Sequence, residues 1–369
     1  GYDYFAWSHG HGPQHDWPMH AYIMWLKSQG IEYANPRKED CKYVRTGMPA
    51  EYHQTKWCAD RAIEFIDNVK DFGQPWFFSF NCFDPHHAFD PPPEYLERYM
   101  PILDEIPLPN YVEGELDDKS PFQRRDHVGA YGVKGSFAYD KMTARDHRLI
   151  RAAYWAMCDF IDVQVGRMLD YLEQSGQLEN TIILFHSDHG ENLGDHGMYL
   201  KGPYFYENCV HVPLIVSWKD KFLSGVTSDA LVELTDLAPT LLEACGLPQE
   251  KGMQGRSLYD LLTGKAPLDV FRDNVYSEFC KFIENAAPDE FCTMIREGNY
   301  KLTKIHYVPD KLNEHPCAGE LYDLAADPTE THNLYNDPSK AEIKLHLLEL
   351  MCDRIAMTCD PIPFNKAPW

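Results

Sequence analysis

Between residues 147 and 218 a long helical pattern gives way to short apolar runs, and this change of period restricts the fold more than any other feature of the chain. In "HRLIRAAYWAMCDFIDVQVGRMLDYLEQSG", Leu149, Ala153, Ala156, Met157, Phe160, Met168, Leu169 and Leu172 recur at helical spacing. Gly176 stands where a C-terminal cap belongs. "NTIILFHS", "VPLIVSW" and "DALVEL" then read as strands, and "TDLAPTLLEACG" as a short helix capped by Thr235 or Asp236, with Gly246 past its end. Upstream, "KWCADRAIEFIDNVK" puts Ala59, Ala62, Ile63, Ile66 and Val69 on one stripe, and Gly73 and Pro75 stop it before the apolar "PWFFSFN". Strands alternating with helices on this spacing predict an α/β fold, a mostly parallel or mixed sheet sandwiched by helices.

The pattern changes near residue 270. "NVYSEF", "CTMIREGNYKLTKIHY" and "ELYDL" read as antiparallel strands, and "SKAEIKLHLLELMCDRI" as a helix packing on them. Two domains are therefore expected: residues 1–268, and a smaller α+β domain at 269–369. Residues 100 to 145 are polar and turn-rich, as in a long excursion at the rim of a site.

Composition removes several classes of partner. The chain has 34 basic against 57 acidic side chains, a formal charge of −23. Such a field repels nucleic acid and anionic membrane surfaces, and an anionic small substrate needs a local cation to override it. No apolar run approaches the roughly 18 residues that span a bilayer. The 11 cysteines form no CxxC pair, and Cys82, Cys158 and Cys245 fall in apolar segments that read as core. Buried free thiols point to a reducing, cytoplasmic compartment, with a periplasmic or secreted location as the alternative.

The polar clusters are placed where chemistry is done. In open α/β sheets ligands bind beyond the carboxyl ends of strands. Asp84 to His87 follow "PWFFSFN", and Ser187 to Asn192 follow "NTIILFHS". Adjacent Asp188 and His189 supply one cation with a carboxylate and a neutral imidazole; the set suits calcium or magnesium if oxygens dominate, manganese, iron or zinc if nitrogens do. Alone, an Asp-His-Gly is more often a turn. Lys201, shaped by Gly197 and Gly202, can hold a sulfate or phosphate oxygen, although a single loop lysine is ordinarily just solvated. His86, set among prolines, can protonate a leaving group or simply be satisfied by backbone. Asp195 and His196 fit best as partners orienting the loop, with His196 also a candidate for the substrate side. The histidines at 9, 11, 15 and 20 match no standard metal spacing.

Together these stretches resemble the sulfatase family of the alkaline-phosphatase superfamily. The resemblance rests on "SDHGENLGDHGMYLKG", "YENCVHVPLIVSW", "DPHHAFDPP", "ENTIILFHSDHG" and "MIREGNYKL" with "ELYDLAADPTETHNL", and runs to about residue 337. It implies a large α/β domain with a smaller C-terminal sheet domain, and hydrolysis of a sulfate ester, of a sugar or other small organic molecule, at a divalent cation. That cation is usually calcium (Ca2+), with Mn2+, Mg2+ or Zn2+ as alternatives. Carried over by position, Asp188 and His189 match metal ligands, Lys201 the lysine that holds the sulfate, and His86 the histidine beside the leaving oxygen. Glu207 looks structural, and His211 stands where an arginine commonly precedes Val-Pro.

One element of the resemblance is absent. The family's nucleophile is a formylglycine made within Cys-x-Pro-x-Arg or Ser-x-Pro-x-Arg, and neither "CKYVR" nor "CADRA" fits. The start, "GYDYFAWSHG", reads as the middle of a protein, so these residues alone are expected not to turn over substrate. Trp7, Trp17 and His9 are candidates to line a sugar. Two other readings stay open: a phosphonate monoester or phosphodiester hydrolase, and a non-catalytic homologue that binds sulfated glycan.

Overall fold

The computed structural model describes residues 2–10, 20–281, 290–306 and 318–358. Its contacts divide the chain into two compact units, Gly1–Pro109 with Lys141–Thr181, and Asn110–Asp140 with Ile182–Trp369.

The first unit is helical. Helix α1 (Ala21–Ser28) is followed by a hairpin of β1 (Arg37–Lys38) and β2 (Cys41–Arg45), then by α2 (Gln54–Val69) and the short α3 (Pro93–Leu96). The chain leaves for the second unit at Asn110, there forms α4 (Pro121–His127), and is back in the first unit from Lys141, ahead of α5 (Ala144–Gln174). Helix α5 starts three residues before the sequence pattern does, because Thr143 and Asp146 cap each other reciprocally; Gly176, at φ +70°, follows its last turn. Helices α2 and α5 bury small residues, Ala59, Ala62, Ala152, Ala153 and Ala156, which let larger neighbours such as Met157 and Phe160 close the core. Tyr22, Leu26, Met48 and Trp57 form a second cluster around α1.

The second unit contains two sheets. Strand β3 (Ile183–His186) pairs antiparallel with β4 (Leu214–Ser217), in the register Ile183↔Ser217 to His186↔Leu214, and the single-turn α6 (Glu207–Val210) precedes β4. After α7 (Leu237–Ala244) and α8 (Tyr259–Leu262) come β5 (Asn274–Lys281), β6 (Glu290–Glu297), β7 (Tyr300–His306) and β8 (Gly319–Asp323). These four make an antiparallel sheet in sequence order. Helix α9 (Ala341–Thr358) lies on it, with Leu347 and Met351 packed against Ile295, Leu302 and Leu321. Each of those apolar side chains contributes roughly 1.5–3 kcal/mol by leaving water.

Two expected strands differ. Residues 75–81 and 229–233 are extended but join no ladder among the described residues, and the β3–β4 pair is antiparallel rather than parallel. Parallel pairing is confined there to one bridge, Val44↔Phe89. Alternating apolar residues specify an extended, half-buried surface; a ladder also needs a neighbour for the backbone N–H and C=O groups. Segment 75–81 has the alternation, with Phe77 63% exposed, and no partner strand is described. The cysteines differ too. Cys158 and Cys245 are exposed and Cys82 half-buried, whereas Cys41, Cys209 and Cys292 are the buried ones. Cys158 lies off the stripe that α5 buries, and Cys245 caps α7. All nine described cysteines are free thiols.

Candidate active site

Beyond His186 and Leu214 the β3–β4 register carries on through loops. Gly190 N donates to Cys209 O at 2.8 Å and Glu191 N to Asn208 O at 3.1 Å, so residues 187–189 run alongside 210–213. Only glycine fits at 190: a Cβ there would sit 1.9 Å from Asn208 O. This seam holds Asp188 and His189 at the carboxyl end of β3. Both line a broad cleft of about 1790 Å³, together with Lys201, Glu207 and His211.

One hydrogen bond fixes the tautomer of His189. Its Nδ1 lies 2.8 Å from Gly190 O, which can only accept, so Nδ1 carries the proton and the lone pair is at Nε2. Nε2 is 3.5 Å from Asp188 Oδ2, and the Asp188 side chain is 82% exposed. One carboxylate and one oriented imidazole on one spot fit part of a divalent-cation ligand set. Among the described residues no group of three His, Cys, Asp or Glu side chains gathers as a metal site.

Lys201 closes the loop that begins at Glu191. Glu191 Oε1 accepts from Leu193 N at 3.1 Å and Leu200 N at 2.5 Å, while buried Asn192 donates through Nδ2 to Leu200 O at 2.8 Å. These bonds hold Leu193 and Leu200 at positive φ, a conformation that costs a side-chain-bearing residue about 1–2 kcal/mol. Burial pushes the Glu191 carboxyl up to about 7, against the two backbone donors and the charge of Lys201. Burial also lowers the Lys201 ammonium, while the charges of Glu191 and Asp188 act to raise it. Lys201 is thus a half-buried cation in the field of the Asp188 carboxylate.

The second Asp-His-Gly is built into the fold. Asp195 Oδ1 accepts from Asn110 N at 2.7 Å, and His196 N donates to Asn110 O at 2.7 Å. His196 is buried; its Nδ1 bonds Glu115 Oε1 at 2.6 Å and its ring stacks on Tyr206 at 3.6 Å. His127 Nδ1 bonds Gly197 O at 2.8 Å. The polar excursion is therefore a brace for the 195–201 loop. Glu115, Tyr131 and Glu191 had not been singled out. Glu191 directly follows the first Asp-His-Gly, but nothing local marks Glu115 or Tyr131.

His86 belongs to the other unit. Its Nδ1 donates to the His87 carbonyl, its ring lies 4.5 Å from Phe83, and His86 N donates to Phe83 O at 3.1 Å. Buried Asp84 anchors this loop, accepting from Thr55 Oγ1 at 2.5 Å with His53 Nδ1 at 3.7 Å. His20 is buried and caps α1, with Nε2 3.0 Å from His9 O, and Trp7 lies against His9. His11, His15 and Trp17 lie outside the described residues.

With an Asp-His pair at a strand end lining one cleft with a half-buried lysine, and a terminal antiparallel sheet, the chain has an alkaline-phosphatase-like fold. Residues 7–247 match the sulfatase family, and residues 194–356 match the family described as N-sulphoglucosamine sulphohydrolase, C-terminal. The chain belongs to the sulfatase family. It is 31% identical over 302 residues to an arylsulfatase of Clostridium perfringens, covering 80% of this chain and 56% of that protein. It is 32% identical over 243 residues to an N-acetylglucosamine-6-O-sulfatase of Bacteroides thetaiotaomicron, covering 65% and 41%. The chain thus spans about half the length of these relatives. Among solved structures, a phosphonate monoester hydrolase from Silicibacter pomeroyi shares the fold at TM-score 0.77 and 23% identity, over 93% of this chain and 70% of that one. A second was solved in complex with its substrate D-glucosamine-2-N,6-O-disulfate; it has TM-score 0.65 and 25% identity, over 85% and 72%.

Proposed function

We propose that this chain carries a large part of the site of a sulfuric ester hydrolase, acting on a sulfated sugar or other small organic sulfate. The observation that carries the reading is that Asp188, His189 and Lys201 line one cleft in a member of the sulfatase family. Asp188 and His189 would hold a divalent cation, calcium first, with Mn2+, Mg2+ or Zn2+ as alternatives. Such a cation, when bound, withdraws charge from sulfate oxygens. Lys201 donates to a sulfate oxygen and supplies the local positive charge that a chain of −23 needs to admit an anion. The resemblance matches His86 to the histidine beside the leaving oxygen; in this chain it lies in the other unit. His196, buried between Glu115 and Tyr206 and not lining the cleft, fixes the loop that ends at Lys201. A carbohydrate substrate is supported by the two relatives whose names specify sulfated glucosamine.

The nucleophile, a formylglycine, has no Cys-x-Pro-x-Arg or Ser-x-Pro-x-Arg to arise from within these 369 residues. They are expected to bind calcium weakly and not to turn over substrate by themselves. An isotherm showing tight calcium binding, or hydrolysis of an aryl sulfate by this chain, overturns that expectation. In the protein joined to its nucleophile segment, Lys201→Ala should lower kcat/KM on an aryl sulfate by about 10²–10³-fold. The imidazole donor at 189 keeps a second reading in play, hydrolysis of a phosphonate monoester or phosphodiester. Faster turnover of an aryl phosphodiester than of an aryl sulfate would establish that reading, and binding of sulfated sugar without turnover of either would mark a non-catalytic homologue.

A further inference from the structure

Lys201 does not hold its position through its own loop alone. The Lys201 ammonium lies 5.7 Å from the centre of the Tyr131 ring, within cation–π range. The Tyr131 hydroxyl is hydrogen-bonded to the Lys201 main chain. One side chain, seventy residues upstream, therefore touches the lysine at both its backbone and its charge.

The turn that presents Tyr131 is held in an uncommon shape. Tyr131 has φ +58° and ψ +23°, a left-handed conformation that an aromatic residue seldom takes. Its neighbours enforce it. Buried Asp126 accepts from Gly132 N at 3.1 Å, and Ala130 N donates to Ser136 O at 2.7 Å. A Cβ on Gly129 would lie 2.3 Å from Val133 O, so the chain can pass there only as glycine. On the other side Leu200, at φ +69°, is pinned by Glu191 and Asn192. Two segments in left-handed geometry thus meet at one lysine. Backbone outliers that converge on a single functional group are a recognised mark of pre-organisation.

We propose that Tyr131 is a positioning residue for Lys201. Its ring forms an aromatic floor that favours the charged ammonium, and its hydroxyl fixes the main chain from which the lysine extends. An aromatic face attracts the cation without using up its N–H donors, so these remain directed to an anion. The proposal rests on the reading of Lys201 as the sulfate-holding group, and deepens it by naming what aims the lysine.

The test is the rate at which acetic anhydride modifies Lys201, followed by mass spectrometry with and without inorganic sulfate. It compares this chain with Tyr131→Phe and Tyr131→Leu. Loss of the ring removes both the shielding and the preference for the ammonium, so Lys201 in Tyr131→Leu should react about three- to tenfold faster. Tyr131→Phe, which keeps the ring, should restore most of the protection. Lys119, buried in the same excursion, reports on unfolding and should stay slow in every variant. An unchanged Lys201 rate in Tyr131→Leu overturns the proposal, as does a rise shared equally by Lys119. Protection of Lys201 by sulfate in the parent chain, lost in Tyr131→Leu, supports both readings. If sulfate never protects Lys201 while the Tyr131 dependence holds, the positioning role stands and the sulfate-holding reading fails.

Discussion

The chain writes Asp-His-Gly twice within ten residues, at 188–190 and 195–197, and folds the two copies to opposite ends. At the first, the Asp188 side chain is 82% exposed, and His189 bonds only to its own neighbourhood, through the Gly190 carbonyl. At the second, Asp195 accepts a backbone donor from Asn110, and His196 is enclosed between Glu115 and the face of Tyr206. What separates them is the company each keeps. The first follows a strand and faces a cleft. The second is closed over by a segment of the same unit that lies some eighty residues earlier in the chain. Identical tripeptides thus serve two ends, one facing the cleft and the other fixing the loop between that cleft-facing pair and Lys201.

The largest effect that can break this comparison is on stability. His196→Ala removes a buried ring and leaves the Glu115 carboxylate enclosed without its partner, a change expected to cost about 3 kcal/mol. His189→Ala should lie within about 0.5 kcal/mol of the parent, since the ring is partly exposed and anchors no distant segment. Urea unfolding of both variants measures the difference. Equal losses would mean that the two copies are structurally equivalent, contrary to the geometry.

The exposed copy was the legible one. Asp188, His189 and Lys201, which line one cleft, could be marked because an apolar run ends at the strand and polar residues follow it directly. The buried copy could be read only as a loop-orienting pair, because Glu115 lies 81 residues away and no local pattern encodes so distant a partner. The same limit hid Tyr131. In the fold, the helices α2, α5, α7 and α9 and the terminal sheet were legible from periodicity. The ladders expected at 75–81 and 229–234 are absent among the described residues, because alternation reports which face is apolar and says nothing of what pairs with the backbone. Cys158 and Cys245 were misread for a related reason: an apolar segment has a polar-facing side too.

A pH experiment sharpens the contrast with carboxylates. Asp188 faces the cleft, whereas Glu207 is clamped by Lys301 at 2.9 Å, Arg296 at 3.1 Å and His211 at 3.3 Å. Burial raises the Glu207 carboxyl, but the His211 hydrogen bond and the charges of Lys301 and Arg296 outweigh it and bring it to about 2 from the usual 4.5. The folded value lies below the unfolded one. The associated stability is therefore fully present above pH 4.5 and is lost as pH falls toward 2, by about 1–3 kcal/mol. Glu330, which burial raises, works in the opposite sense and offsets part of that loss. Glu207→Gln should flatten the acid limb of the stability profile between pH 5 and about 3; an unchanged slope would mean that the clamp contributes nothing.

The smallest effect is the one at His211, a histidine intermediate between the two copies: 75% exposed in its side chain yet bonded to Glu207 at 3.3 Å. The Glu207 hydrogen bond raises the His211 pKa against the effect of burial. A raised histidine stabilises the fold fully below its unfolded value near 6.5, and that contribution disappears as pH climbs through the folded value. Because the side chain is so exposed, solvent screens the pair and the contribution is only about 0.5 kcal/mol. His211→Arg keeps the pair charged at every accessible pH. The expected result is no change in stability at pH 5.5 and a gain of about 0.5 kcal/mol at pH 8.5, read from urea midpoints at fixed ionic strength. A gain of equal size at both pH values would trace the effect to the longer, forked side chain, and His211 would then belong with the buried copy as a purely structural residue.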